Sequence, residues 1–335
     1  MAFHLKHPEN RELVGGDLLA QSLARLGATV AFGIHGNFLM AAVEANIKLV
    51  DVRHETVAVQ AAEGWAKVRG NDAPGVCFIT ANSGFCNGLP GLGTAFADRS
   101  PVFCGFHDQV VLARPVTKFA HRVTSADEIP RVVSLAWRAT TAGAPGPVLV
   151  DFPIDVLFTP VRAGSIAWGS VTAPPVSYPA PDPGAVDETV RLWREAKRPV
   201  IIVSTGAARA ADEVAGLAEA TGTPVFHSPK FSTTMRRSHP LFAGAATQLP
   251  LLLAQGQAPD FVLLLGARTG FLLGGRSGAV VPNEDSAKVV QVDLDGSEIG
   301  RSRRIDVGIV SDVGLAASAL TAAASKFPFE ARVTG

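Results

Sequence analysis

Glu55 closes the stretch Asp51-Val52-Arg53-His54-Glu55, directly behind the apolar run Leu49–Val52. Val57, Ala61, Ala62 and Trp65 follow it at helical spacing. A strand that hands over to a helix delivers its last side chains to the carboxyl edge of a parallel sheet, where open α/β sheets bind ligands. Two further segments have the same form: Gly33-Ile34-His35-Gly36 follows the β-rich Val30–Gly33, and Thr80–Asn87 continues from Val76–Thr80. If the three strands are parallel, His35, Glu55 and the backbone around Asn82, Ser83 and Gly84 line one crevice. A carboxylate and a histidine there can accept and donate protons. Position alone also allows Glu55 to be a helix-start carboxylate favoured by the macrodipole, and His35 to be a loop histidine bonded to backbone.

The elements that must position these groups alternate. Leu18, Leu19, Leu23 and Leu26 fall at helical spacing and stop at Gly27, a C-cap signal. Strands are expected at Val30–Gly33, Leu49–Val52, Val76–Thr80, Pro101–Phe106 and Pro147–Phe152. Helices are expected over about 37–46, from Glu55, after Gly84 to near Ala97, and over about 127–141. Such alternation implies a doubly wound parallel sheet with helices on both faces. After Pro160 the composition shifts: five prolines between Pro174 and Pro183 mark an extended connector. A second α/β rhythm follows, with strands expected at Pro199–Ser204, Pro224–His227, Phe261–Gly266 and Lys288–Asp293, and helices near 185–197, 210–221 and 311–324. The expected fold class is α/β, with two doubly wound, mainly parallel sheet domains over 1–160 and 185–330 and a linker over 161–184.

The chain has 335 residues, with 30 Lys plus Arg against 30 Asp plus Glu, a balance that gives no reason to expect nucleic acid. Cys77, Cys86 and Cys104 have neither metal-type nor disulfide spacing, so no metal ligands are expected and a reduced cytoplasmic setting is. Apolar runs such as Phe261–Leu265 fall far short of the roughly 20 residues that span a bilayer, and no membrane association is expected. Gly88-Leu89-Pro90-Gly91-Leu92-Gly93 lacks the glycine spacing of a dinucleotide fingerprint.

Ala31-Phe32-Gly33-Ile34-His35-Gly36, Arg53-His54-Glu55, Ala61-Ala62-Glu63-Gly64-Trp65-Ala66, Thr80–Asn87 and Asp98-Arg99-Ser100-Pro101-Val102 occur in this order. Thr117-Lys118-Phe119-Ala120-His121-Arg122-Val123 and Gly146-Pro147-Val148-Leu149-Val150-Asp151 follow. Together they resemble the pyrimidine-binding domain of thiamine diphosphate-dependent enzymes of the acetolactate synthase type. Phe-Gly-Ile-His-Gly and Thr-Lys-Phe-Ala-His-Arg are nearest to benzaldehyde lyase. Leu264-Leu265-Gly266-Ala267-Arg268 and Val290-Gln291-Val292-Asp293 resemble the family's Rossmann-like central domain. The similarity runs from about Leu13 to Ala322.

The resemblance implies a role for each site residue. In family members a carboxylate at the position of Glu55 hydrogen-bonds N1′ of the aminopyrimidine and favours its imino tautomer, whose 4′-imine takes the C2 proton of the thiazolium. A carboxylate enclosed in an apolar crevice exchanges a proton nearer neutrality than one in water. His35 corresponds to the histidine that benzaldehyde lyase-like enzymes place beside the substrate. Gly33, Gly36, Thr80, Asn82, Ser83, Gly84, Phe85 and Asn87 would contact the cofactor, partly through backbone. His54 and His121 are read as structural, and His107 and Asp108 are left outside the site. The segment between Phe106 and Val116 is shorter than the matching loop of relatives, which carries a substrate-facing glutamine; Gln109 stands near that position, and substrate preference is not transferred.

Family members hold the diphosphate and Mg²⁺ through a third domain marked by Gly-Asp-Gly and a later Asn, a signature these 335 residues do not contain. The expectation is a split enzyme. This chain would bind the pyrimidine half of thiamine diphosphate, a second subunit would hold the diphosphate and Mg²⁺, and the assembly would be α₂β₂ or higher. Its substrates would be small carbonyl compounds, namely 2-oxo acids, 2-hydroxy ketones or aldehydes, in a carbon–carbon lyase or carboligase reaction. The glycines of 266–270 and 274–278 are read as turn residues, so FAD is not expected. The competing reading is a non-catalytic regulatory or scaffold subunit that kept the fold.

Overall fold

Short runs of β-branched and aliphatic residues, bounded by glycine and proline, form the strands, and amphipathic runs between them form the helices. The computed structural model describes residues 12–34, 39–80, 83–106, 109–230, 234–283, 285–326 and 329. They fall in two units, Met1–Val176 and Ser177–Gly335.

The first unit opens with β1 (Leu13–Val14) and α1 (Gly15–Arg25). Then come β2 (Val30–Gly33), α2 (Leu39–Glu44), β3 (Lys48–Asp51), α3 (Glu55–Val68), β4 (Gly75–Phe78) and α4 (Ser83–Asp98). The unit continues through β5 (Val102–Phe106), α5 (Val110–Ala113), β6 (Phe119–Arg122), α6 (Ile129–Thr141), β7 (Val148–Asp151), α7 (Ile154–Phe158) and β8 (Pro160–Val161). The main sheet has the order β3-β2-β4-β5-β7-β6 with every pair parallel. Alternate residues serve opposite faces. Val76, Phe103, Val148 and Val150 pack with Leu18 and Leu23 of α1 and Ile129, Val133 and Trp137 of α6. Cys77, Cys104 and Leu149 pack with Ala58, Val59 and Ala62 of α3 and Phe85, Leu92 and Ala95 of α4. Each large side chain so buried contributes about 1.5–3 kcal/mol. β1 pairs antiparallel with β8, Leu13 opposite Val161.

The order of the strands makes the geometry of ligand binding. From β2 the chain steps outward to β3, then returns across β2 to β4 and continues the other way, so the sheet reverses direction between β2 and β4. That reversal opens a crevice at the carboxyl edge.

The second unit contains α8 (Pro183–Glu195), β9 (Pro199–Val203), α9 (Ala211–Thr221), β10 (Val225–His227), β11 (Phe242–Ala245) and α10 (Leu249–Ala254). It ends with β12 (Phe261–Leu265), β13 (Lys288–Asp293), β14 (Val307–Val310) and α11 (Val313–Ser325). Its parallel sheet runs β11-β10-β9-β12-β13-β14, the Rossmann order, with the reversal between β9 and β12. Asp182 caps α8 on the Ala185 N–H (2.9 Å) with Pro183 in the first turn, and Asp312 caps α11 on the Leu315 N–H (3.1 Å). Each cap is worth about 1 kcal/mol.

Both units are α/β with mainly parallel sheets, as expected. Five strands escaped the sequence reading: the short pair β1 and β8, and the edge strands β6, β11 and β14. At the edge, β6 (Phe119-Ala-His-Arg) carries no alternating apolar signal and is defined by the neighbour it pairs with. The helix expected over 37–46 is described over Leu39–Glu44, and Asn46 takes a left-handed φ of 59° that ends it. Within the segment expected to link the domains, Val161 is buried in the first core and Ser134 exchanges hydrogen bonds with Thr172 (2.9 and 3.1 Å). Further along, Pro179 accepts from the Ser311 hydroxyl (3.0 Å) and the Asp312 N–H (3.1 Å) of the second unit.

Candidate functional site

Glu55 is the first residue of α3, and β3 ends four residues before it. His54 holds the N-cap position and its Nδ1 accepts from the Thr56 N–H (3.3 Å), so its work is to start the helix. At the far end of α3 the buried Glu63 accepts from Ser100 (3.1 Å) and pairs with Lys67 (2.8 Å), which also reaches Asp98 (2.6 Å) at the end of α4. Burial works to lower the Lys67 pKa, but Asp98 and Glu63 outweigh it and hold the ammonium above its usual range. This network fixes α3 against α4 and therefore fixes the register of their first turns.

At those first turns the site residues meet. Glu55 is 8 % exposed. Asn87 Nδ2 donates to Glu55 Oε2 (3.1 Å), and the Thr56 hydroxyl donates to the Asn87 carbonyl. Gly84 lies under the other oxygen: a Cβ at that position would stand 2.6 Å from Glu55 Oε1 and 3.0 Å from Thr80 Cβ. Only glycine leaves the carboxylate where it is. The helix expected after Gly84 begins at Ser83, so residues 83–87 are the opening of α4 and present helix N–H groups as well as side chains. Ser83 and Thr80 are exposed at the mouth, while the Phe85 side chain is fully buried in the core beneath and offers only its backbone. Gly33 ends β2, and a Cβ there would lie 2.6 Å from the Phe78 carbonyl, so it permits β2 and β4 to approach at the reversal. The geometry thus gathers Glu55, Thr80, Gly84 and Asn87. His35, Gly36 and Asn82, with His107 and Asp108, lie outside the described residues.

Thr56 was not anticipated. Its contact lies 31 residues away in sequence, and no spacing pattern connects it to Asn87.

Gln109, His121 and Arg122 line a separate cavity of about 390 Å³ toward the β6 edge of the same sheet. There His121 Nε2 lies 3.8 Å from Glu128 Oε2 and Arg122 reaches the fully buried Asp151 (3.7 Å). Partial burial pushes the Glu128 carboxyl up, but the Thr124 N–H and hydroxyl, aided by His121 and the Ser125 N–H, hold it below the usual carboxylate range.

In the second unit a cavity of about 340 Å³ opens at the carboxyl edge, lined by Ser204, Lys230, Arg268, Thr269 and Glu298 among others. The Ser204 and Ser228 hydroxyls bond at 2.7 Å, and Glu298 pairs with Arg268 (3.6 Å) and Arg301 (2.9 Å). Gly274, Gly275 and Gly278 beside it take left-handed φ values of 77°, 54° and 73°, the conformation of turn glycines. No group of three or more histidine, cysteine, aspartate or glutamate side chains among the described residues could hold a metal, and none of their helices is long and apolar enough to cross a membrane.

Residues 13–105 match the family model of the thiamine pyrophosphate enzyme N-terminal TPP binding domain, and residues 186–320 match the thiamine pyrophosphate enzyme central domain. Among curated proteins, the acetolactate synthase large subunit of Corynebacterium glutamicum is 30 % identical over 326 residues, 90 % of this chain and 51 % of that one. An acetolactate synthase of Mycobacterium bovis is 32 % identical over 333 residues, 90 % of this chain and 52 % of that one. The chain therefore spans about half the length of the curated relatives it matches. The crystal structure of benzoylformate decarboxylase from Polynucleobacter necessarius superposes with a TM-score of 0.79 at 21 % identity, over 96 % of this chain and 62 % of that one.

Proposed function

We propose, since the chain belongs to the thiamine pyrophosphate enzyme family, that it binds the aminopyrimidine half of thiamine diphosphate at the β2/β4 reversal and activates it through Glu55. The observation that carries this reading is the seat of Glu55: a nearly buried carboxylate, one oxygen tied to Asn87, the other pressed over a glycine with no room for a methyl group. The described residues fit the group. A flat heteroaromatic ring needs a carboxylate partner for its ring nitrogen and a surface without side chains beside it, and Glu55 with Gly84 supply both. When bound, thiamine diphosphate supplies the C2 nucleophile and electron sink for carbon–carbon bond cleavage or formation. Glu55 holds the ring nitrogen and carries the proton that the tautomer change requires. Ser83, Gly84 and the Phe85 backbone, with Thr80, orient the ring at the mouth of the crevice, and the apolar core beneath Phe85 excludes water from its inner side. His35 would relay protons to the bound substrate, and Gly36 and Asn82 would complete the loops around the ring.

The proposed reaction is a carbon–carbon lyase or carboligase reaction on 2-oxo acids, 2-hydroxy ketones or aldehydes, with decarboxylation and acyl transfer to an acceptor carbonyl favoured. The diphosphate and Mg²⁺ would be held by a second polypeptide in a heteromer such as α₂β₂.

Native mass spectrometry tests this reading, on the chain alone and co-expressed with candidate diphosphate-domain proteins in thiamine diphosphate and Mg²⁺. The expected result is a heteromer that retains the cofactor only when both chains are present. A chain that stays without partner and without cofactor against every candidate would overturn the catalytic reading in favour of a scaffold role.

A further inference from the structure

Asn87 is committed on both sides to the first turn of α3. Its carboxamide nitrogen donates to Glu55 Oε2 (3.1 Å), and its carbonyl accepts from the hydroxyl of Thr56, the next residue along. The two bonds run in opposite senses between the same two helix turns and close a small ring of contacts. With Oε1 standing where a side chain at Gly84 would begin, the carboxylate is flanked on two sides by α4. We propose that Asn87 is a positioning residue that acts through Glu55: it holds Oε2 so that Oε1 alone is presented to the ring nitrogen, and it does not itself hold the cofactor. This inference rests on the reading of Glu55 given above.

The chemistry explains the residue type. A glutamate at a helix start has three rotatable bonds, and without a partner its carboxylate samples several orientations. A neutral amide donor fixes one oxygen and leaves the charge undiminished. An aspartate in its place would set two carboxylates within hydrogen-bonding distance, where each disfavours the ionised form of the other. An aliphatic side chain would leave Oε2 with no donor, and a nearly buried carboxylate oxygen without a donor is costly. Asn87 is itself exposed, so its bond is worth less than a fully buried charge-assisted one. The expected loss on removing it is therefore moderate, about tenfold in rate.

Two measurements test the assignment. Crystal structures of this chain as wild type and as Asn87→Ala should show the Glu55 carboxylate leaving its place over Gly84 in the variant. In the assembled protein with thiamine diphosphate and Mg²⁺, the rate of exchange of the cofactor's C2 proton should fall about tenfold in Asn87→Ala and further in Asn87→Asp. Over the same variants the dissociation constant for thiamine diphosphate should stay within about threefold, because the interaction lost is not with the ligand. Asn87→Ala should add nothing to the loss already caused by Glu55→Asp. The proposal is overturned by a Glu55 carboxylate that stays in place with exchange unchanged, by additive losses in the double variant, or by cofactor affinity that falls more than about tenfold while exchange at saturation is intact, which makes Asn87 a direct ligand. Glu55→Gln separates the two levels: normal exchange in that variant sinks the role of Glu55 and this inference with it, whereas slow exchange there beside normal exchange in Asn87→Ala sinks this inference only.

Discussion

The carboxyl edges of the two sheets are built on one plan and filled differently. Each sheet has six parallel strands and a reversal beside its first strand, between β2 and β4 in the first unit and between β9 and β12 in the second. In the first, the glycine beside the reversal faces a side chain: Gly84 makes room for the tip of Glu55. In the second, glycine faces glycine. The Gly206 N–H donates to the Gly266 carbonyl (3.2 Å), and a Cβ on Gly266 would lie 2.4 Å from Gly206 Cα. Both edges use glycine to bring chain segments together, Gly33 against β4 in the first and Gly206 against Gly266 in the second, but only the first uses a further glycine, Gly84, to seat a carboxylate. The charged groups differ in the same way. Glu55 has one neutral partner, whereas Glu298 is paired with Arg268 and Arg301. Strand order alone does not distinguish the two edges; the groups left by the first helical turns do.

The contrast can be broken most forcefully at Glu55. Glu55→Gln keeps size and hydrogen-bonding capacity but removes the carboxylate. Turnover of the cofactor-loaded assembly should fall by about two to four orders of magnitude, with the melting temperature of the chain unchanged.

At the second edge the loss should be in folding instead. Gly266 has φ 58° and meets backbone on its open side, so Gly266→Ala should lower the unfolding free energy by about 2–4 kcal/mol in urea titrations. Gly84→Ala sharpens the same comparison. Its new methyl group meets the movable end of Glu55 and, at 3.0 Å, Thr80 Cβ, which has to give by only a few tenths of an ångström, while alanine favours a helix by about 0.5–1 kcal/mol. Stability should hardly change, while turnover drops by about tenfold or more as the carboxylate is pushed aside. A Gly84→Ala variant that unfolds, or a Gly266→Ala variant that melts like wild type, would erase the distinction.

The smallest effect lies at the β6 edge. Because the folded-state pKa of Glu128 is held below its ordinary value, its contribution to stability is complete above about pH 4.5 and is lost as pH falls through the lower folded value. Thermal melts from pH 6 to pH 2 should show wild type converging on Glu128→Gln under acid. A gap between them that widens as pH falls would contradict this assignment.

Much of the first edge was legible because its signals are local. An apolar run followed by Arg53-His54-Glu55 and a helical period places a carboxylate at a strand-to-helix junction without knowledge of any long-range contact. Gly84 and Asn87 were legible as members of a segment, but not what they do, since the 2.6 Å approach of Oε1 and the bond to Oε2 join residues about 30 positions apart. The helix expected after Gly84 starts two residues earlier, at Ser83, and its glycines serve close packing of α3 on α4, with a Cβ at Gly91 lying 2.8 Å from Val59 Cβ. The edge strand β6 was lost because its signal is not local: it contains histidine and arginine and exists because β7 offers it a partner.

The pairing of β1 with β8 sets a schedule for the making of this protein. Leu13 finds its partner in Val161, and Leu18 and Leu23 of α1 bury against Ile129, Val133 and Trp137. At roughly 5–20 residues per second, a ribosome needs on the order of ten seconds to carry the chain from one to the other. Until α6 has emerged, the part of the α1 stripe that it covers faces water, and the first unit cannot close its fold before β8 is made.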